Sequence, residues 1–199
     1  ARAFTYSLLL AVPVVGGGWI LGERLLYFFY GESFAAGAGA LAILLFVQVA
    51  HVFMFLQTMC LNALDRPKDS FRVTAIAVAA NIGLNLLLIS AYGIIGASVA
   101  TLITMVLNAT LARRALSRII HVQIEPRAVG HILLAALAMV AAVMAFSFII
   151  PLSNVFFVLG AVGLGGLVYI LVLLRIDRGI HDELRELVQK FGIPWPDRL

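Results

Sequence analysis

The strongest constraint on this chain is an interval without charge. Residues 73–112 contain no Asp, Glu, Lys or Arg, a run about twice as long as the roughly 20 apolar residues that carry one helix across a ~30 Å hydrocarbon core. The segment AYGIIG at 91–96 interrupts it near the middle, and paired glycines of this kind mark a turn. The interval therefore reads as two membrane-spanning helices joined by a tight turn, with both ends on the same side. Its polar residues are spaced at helical intervals. At about 100° per residue, Ser70, Thr74, Asn81 and Asn85 fall on one face of the first helix, and Ser98, Thr101, Thr104 and Asn108 on one side of the second.

The same logic extends to the whole chain. Hydrophobic residues make up 63% and charged residues 12%, with a mean hydropathy of +1.07. A soluble chain carries about 25% charged residues, so this one lacks the polar surface it would need in water. The expected fold class is all-α: a polytopic transmembrane bundle of about six spanning helices plus a C-terminal amphipathic helix. The expected division is a membrane bundle over 1–175 and a cytoplasmic tail over 176–199. The chain starts at Ala1 and enters a hydrophobic span almost at once. A signal peptide fits poorly, since residues 3–22 are long for an h-region and further spans follow. Cys60 is the single cysteine, so neither an internal disulfide nor a thiolate metal cluster is expected.

The residues NIGLNLLLISAYGIIGASVATLIT, 81–104, resemble a pattern found late in the oligosaccharide flippases of the multidrug/oligosaccharide-lipid/polysaccharide exporter superfamily, roughly N-x-x-L-N-x-x-L-I-P-x-Y-G-I-x-G-A-x-x-A-T. Asn81, Leu84, Asn85, Leu88, Ile89, Tyr92, Gly93, Ile94, Gly96, Ala97, Ala100 and Thr101 stand where that pattern places them. LNALDRPKDSF at 61–71 resembles the family's short basic loop. Ser90 stands where the family usually has proline, a change that loosens the turn without removing the helices. The resemblance is specific over about 50 residues and general, as matching hydropathy, elsewhere. It implies the C-terminal part of a flippase, whose missing N-terminal half would be the partner that completes the cavity.

Along the chain, the first expected span covers 4–21, with Pro13 and the run Gly16, Gly17, Gly18 inside it. A kinked or partly unwound helix is expected there, serving as a packing groove for a neighbour, as a hinge, or as a ligand contact. LLYFFY at 25–30 suits the membrane–water interface as a continuation of that helix. The second span covers about 36–62. Gln48, His51, Thr58 and Asn62 lie within about 80° of one another on it, with Gln57 pointing elsewhere. His51 fits a proton carrier or headgroup contact as well as a neutral imidazole bonded to a neighbouring helix. After the central pair come a basic connector from Arg113 to Arg127 and two nearly apolar spans at 129–150 and 154–174, split by IPLSN. His131 is expected to reach interface water. From Asp177, Ile180, Leu184, Leu187, Val188 and Phe191 recur at helical spacing opposite a charged face, which reads as an amphipathic surface helix. His181 and Glu183 diverge on such a helix, and no metal site or cofactor is expected.

With about six crossings, every lysine and arginine except Arg24 falls on one side, and the opposite connectors AYGIIG and IPLSN carry no charge. Positive residues in short loops stay cytoplasmic, so both ends are expected in the cytoplasm and the chain in the cytoplasmic membrane. An enzyme is not expected. The sequence has no Gly-rich phosphate loop, paired-carboxylate site or metal-spaced cluster, and its basic residues form no aromatic-interleaved nucleic-acid patch. What remains is a transporter lobe or a non-transporting scaffold for polysaccharide-synthesis enzymes. The resemblance implies translocation of a lipid-linked oligosaccharide or polysaccharide repeat by alternating access; export of drugs or a cell-wall lipid precursor is the near alternative. The candidate path residues are Gln48, His51, Thr58, Asn62, Asn81, Asn85, Thr101, Thr104 and Asn108, whose amides and hydroxyls can replace water around a glycan.

Overall fold

In the computed structural model, residues 2–120, 126–177 and 179 are described, and the regular structure among them is helical throughout. The elements are α1 (Arg2–Tyr30), α2 (Glu32–Ala35), α3 (Ala38–Ala63), α4 (Pro67–Ser117), α5 (Pro126–Ile149) and α6 (Val155–Ile176). All except α2 are long and apolar enough to cross a membrane. The 51-residue α4 breaks at Gly93, where φ is 57° and ψ is −133°. Its two arms, 67–92 and 94–117, are each about 36–39 Å long at 1.5 Å per residue. The five long helices thus supply six span-length segments, in agreement with the sequence. The amphipathic tail expected from Asp177 onward lies outside the described residues, apart from Asp177 and Gly179.

The chain divides into two compact units, Ala1–Ile124 and Glu125–Leu199. In the first, α1 packs antiparallel on α3. Phe4 meets Phe53 at a ring separation of 5.7 Å near one end, while Gly18 abuts Leu45 and Gly22 abuts Leu41 toward the other. Of the readings open for Pro13 and the glycine run, unwinding is not found, since the helix continues through both to Tyr30, and the packing groove is. Glycine here serves close approach. A Cβ on Gly18 would lie 2.7 Å from Leu45 Cδ1, so the small residues form a groove for α3 instead of an unwound segment.

The charged stretch after α3 is also more regular than a loop. Asp65, at φ 57°, takes the left-handed conformation that ends helices, and the Arg66 N–H donates to the Leu61 carbonyl at 2.9 Å. Pro67 then opens α4 at a position where its missing N–H costs nothing. Residues 67–72 are therefore the first turns of α4.

The reversal at Gly93 is tight. Only glycine tolerates that combination of φ and ψ readily. Three residues on, Gly96 is buried against the backbone of Leu88, and a methyl group there would fall on the Leu88 carbonyl oxygen. Just before Gly93, the Ser90 hydroxyl donates to the carbonyls of Leu86 and Leu87 within the first arm. The second arm buries one ridge of residues four apart, Gly96, Ala100, Thr104, Asn108, Ala112 and Leu116. Small side chains dominate it, which lets neighbouring backbones approach where lipid supplies no hydrophobic drive between helices.

The second unit is an antiparallel hairpin of α5 and α6. Asn154 caps α6 by accepting from the Phe156 N–H at 3.2 Å. Gly165 admits Val143 and Met139 from α5, and Gly160 faces Phe146. The same register brings His131 Nδ1 within 3.0 Å of Asp177 Oδ2. His131 was expected to reach interface water; its ring is partly exposed but bound to a carboxylate, because the start of α5 lies beside the end of α6.

A candidate polar path on the central hairpin

The α4 hairpin carries the polar groups that the sequence singled out, and its register connects them. Asn81 Nδ2 on the first arm donates to Thr104 Oγ1 on the second at 3.0 Å. Asn85, one turn along, donates from Nδ2 to Asn81 Oδ1 at 2.8 Å. The Thr104 hydroxyl in turn donates within its own helix, toward the carbonyls of Ala100 and Thr101. The result is a chain of hydrogen bonds running from half-buried Asn85 through Asn81 to buried Thr104. It exists because the i, i+4 spacing of the two asparagines stacks them on one face, while Gly93 and Gly96 bring the second arm close enough to be reached.

The remaining candidates are distributed as follows. Thr101 is half-buried and donates to the Ala97 carbonyl at 2.9 Å. Asn108 is buried, 4% exposed, and its Oδ1 has no hydrogen-bond partner among the described residues. On α3, Thr58 is half-buried, and its hydroxyl donates to the carbonyls of Met54 and Phe55. His51 is half-buried with its ring 6.2 Å from that of Phe55. Gln48 and Asn62 are exposed. The structure thus joins Asn81, Asn85 and Thr104 directly, places Thr101 and Asn108 on the same arm as Thr104, and links none of the four α3 candidates to one another.

One polar residue was missed. Gln57, which the helical spacing sets apart from the α3 stripe, is 5% exposed, and its Oε1 lacks a hydrogen-bond partner among the described residues. The buried residues of α3 are Ala40, Val47, Gln57 and Leu61, centred about 80° around the helix from the predicted stripe at 100° per residue. The heptad spacing of Ala40, Val47 and Leu61 was the available signal. Among the described residues no group of His, Cys, Asp or Glu could hold a metal ion.

Comparison with known proteins extends the partial resemblance. No family model matches the chain. It is 31% identical over 198 residues to probable flippase AglR of Haloferax volcanii, a match covering 95% of this chain and 40% of that protein. It is 25% identical over 190 residues to the probable low-salt glycan biosynthesis flippase Agl15 of the same organism, covering 96% of this chain and 39% of the relative. The chain therefore spans about two fifths of the length of these curated relatives. The likeness first seen in residues 81–104 runs along nearly the whole chain, and with five helices long and apolar enough to cross a membrane it marks a multi-pass membrane protein similar to these probable flippases.

Proposed function

We propose that this chain forms a helical lobe of a flippase that carries a lipid-linked oligosaccharide or polysaccharide repeat unit across the cytoplasmic membrane by alternating access. The physical need is to move many hydroxyls through hydrocarbon, where each unpaired polar group costs several kcal/mol. One observation carries the reading: the hydrogen-bonded chain Asn85–Asn81–Thr104, whose half-buried end at Asn85 keeps amide valences for a passing hydroxyl. The names of the Haloferax relatives support the same direction, one of them naming glycan biosynthesis. In this reading Gln48, His51, Thr58, Asn62, Thr101 and Asn108 contribute further polar surface to the path. The N-terminal half of the transporter supplies its opposite wall, and polysaccharide-synthesis enzymes meet its cytoplasmic face. Residues 1–175 are the membrane bundle and 176–199 a cytoplasmic tail. The basic ends of α4 face the cytoplasm and Gly93 the opposite side.

The test is translocation of a fluorescent lipid-linked oligosaccharide by the full-length protein reconstituted in vesicles. Asn85→Leu and His51→Leu should insert normally and translocate more slowly. Parent rates in both would return these residues to a purely structural role. Sidedness is read separately: a cysteine at Lys68 or Arg118 should resist an impermeant reagent applied outside intact cells, and one at Ile94 should react.

A further inference from the structure

The hairpin collects charge at one end of the first unit. From the Asn81–Thr104 hydrogen bond, nine more residues along each helical arm bring Arg72 level with Arg113, about 13 Å further along the axes. Arg66, Lys68 and Arg72 thereby share an end with Arg113, Arg114 and Arg118, and all six are exposed. Asp65 and Asp69 stand among them. Asp69 lies 3.7 Å from Arg66 and 4.0 Å from Arg72; among the described residues no carboxylate pairs with Lys68, Arg113, Arg114 or Arg118. The other end of the unit carries Glu23, Arg24 and Glu32.

The helix dipole accounts for half of this arrangement. Cations are favoured at a helix C-terminus, where Arg113, Arg114 and Arg118 lie. At the start of α4 the sign is reversed. Arg66 is the N-cap and Lys68 the second helical residue, at the end where the dipole and the free N–H groups favour anions. Arg66 and Lys68 at that terminus, with Asp69 the one acid in the first turn, are opposed by their own helix, and an outside anion would offset them. The setting also narrows the anion. The cluster is spread over the ends of two span-length arms, with Phe71 exposed beside it, so it lies at headgroup depth and is not a pocket.

We propose that the paired ends of α4 bind the phosphate headgroups of anionic membrane phospholipids. The inference does not use the flippase reading; it needs only that α4 crosses the membrane twice. A flat array of cations suits a sheet of singly charged headgroups, as juxtamembrane basic clusters do.

The experiment measures the preference of spin-labelled phosphatidylglycerol over phosphatidylcholine for the purified full-length protein in mixed vesicles. The parent should show a clear preference that falls as salt rises. The Arg113→Gln/Arg114→Gln double variant, and independently Lys68→Gln, should lower the relative association constant up to about fivefold per charge at low salt, with unchanged helicity. Arg24→Gln, at the opposite end, should match the parent. An undiminished preference in both basic-cluster variants, or an equal loss from Arg24→Gln, overturns the proposal. So does displacement of the labelled lipid by millimolar inorganic phosphate at constant ionic strength, which would assign the cluster to a soluble anion.

Discussion

Replacing Gly96 with alanine probes the hairpin at its closest contact. The added methyl would fall on the Leu88 carbonyl oxygen and 2.5 Å from the carbonyl carbon. These are backbone atoms of a helix and cannot swing aside, so the arms must separate by about 1 Å to restore ordinary contact. If the separation carries along the hairpin, the Asn81–Thr104 bond, now 3.0 Å, stretches to about 4 Å and is lost. Overpacking of this kind costs about 1–3 kcal/mol, and an interhelical hydrogen bond in a membrane about 0.6 kcal/mol, at most about 1.7. Against this stands up to about 1 kcal/mol of improved helix propensity, leaving a net destabilisation of about 2 kcal/mol. Gly83→Ala is the matched control. It lies in the first arm with nothing within 4 Å of its Cβ position, so it should be neutral or slightly stabilising. The measurement is the midpoint of reversible unfolding of the full-length protein in mixed micelles of rising dodecyl sulfate content. A second reading follows from mechanism: once Gly96→Ala has parted the arms, adding Asn81→Leu should cost little more. Equal midpoints for Gly96→Ala and Gly83→Ala would refute the close approach and the register drawn from it.

Three further outcomes follow from the same geometry. Gly93→Ala should destabilise by about 1–3 kcal/mol through backbone strain alone, since nothing crowds its Cβ position, and the same micelle titration reads it. Asn81→Leu and Thr104→Val should couple by about 0.6 kcal/mol, and by no more than about 1.7 kcal/mol, in a double-mutant cycle; strict additivity would deny the bond. In the second unit, Gly165→Leu should cost more than Gly163→Leu, because Gly165 faces Val143 and Met139 while Gly163 faces open space. Faster amide exchange in α5 for Gly165→Leu alone would confirm that it parts the pair.

Which features could be read from the amino acids, and which could not, follows from what lipid does to contrast. The hairpin was legible because residues 73–112 are free of charge and the two glycines of AYGIIG break an otherwise uniform run. Gly96 and Ala100, four apart, permit close approach of some helix to the second arm; that the approaching backbone is Leu88 of the first arm is visible only in the fold. The inward face of α3 was not legible. In water a polar stripe would mark the outside, but a membrane helix is apolar on both its lipid face and its packed face. Gln48 and Asn62 are accordingly exposed and Gln57 buried, although the spacing grouped the first two and set the third aside. The same ambiguity hid the role of the glycines in α1. A run beside proline is compatible with a break or with a groove, and the choice rests on Leu45 and Leu41 of the partner helix. The His131–Asp177 pair depends on the α5–α6 register, which hydropathy does not encode.

The polar residues of these stripes also differ in how much bonding capacity they keep. Ser98, Thr58, Thr101 and Thr104 each direct the hydroxyl proton at a backbone carbonyl three or four residues back in the same helix. A hydroxyl satisfied in this way can sit in hydrocarbon with little penalty, so its presence in a span says little about a ligand. An amide is different. It has two donors and a carbonyl oxygen with two lone pairs, and no single turn of helix satisfies all of them. Asn81 is engaged on both sides, by Thr104 and by Asn85. Asn85 stands at the end of the chain with one such bond, and its partly exposed amide keeps a donor and its oxygen for something outside the hairpin. In the path we propose, a hydroxylated cargo would meet such unspent valences at the wall's surface with closed ones behind them, the order Asn85, Asn81, Thr104 running from the half-buried face into the interior.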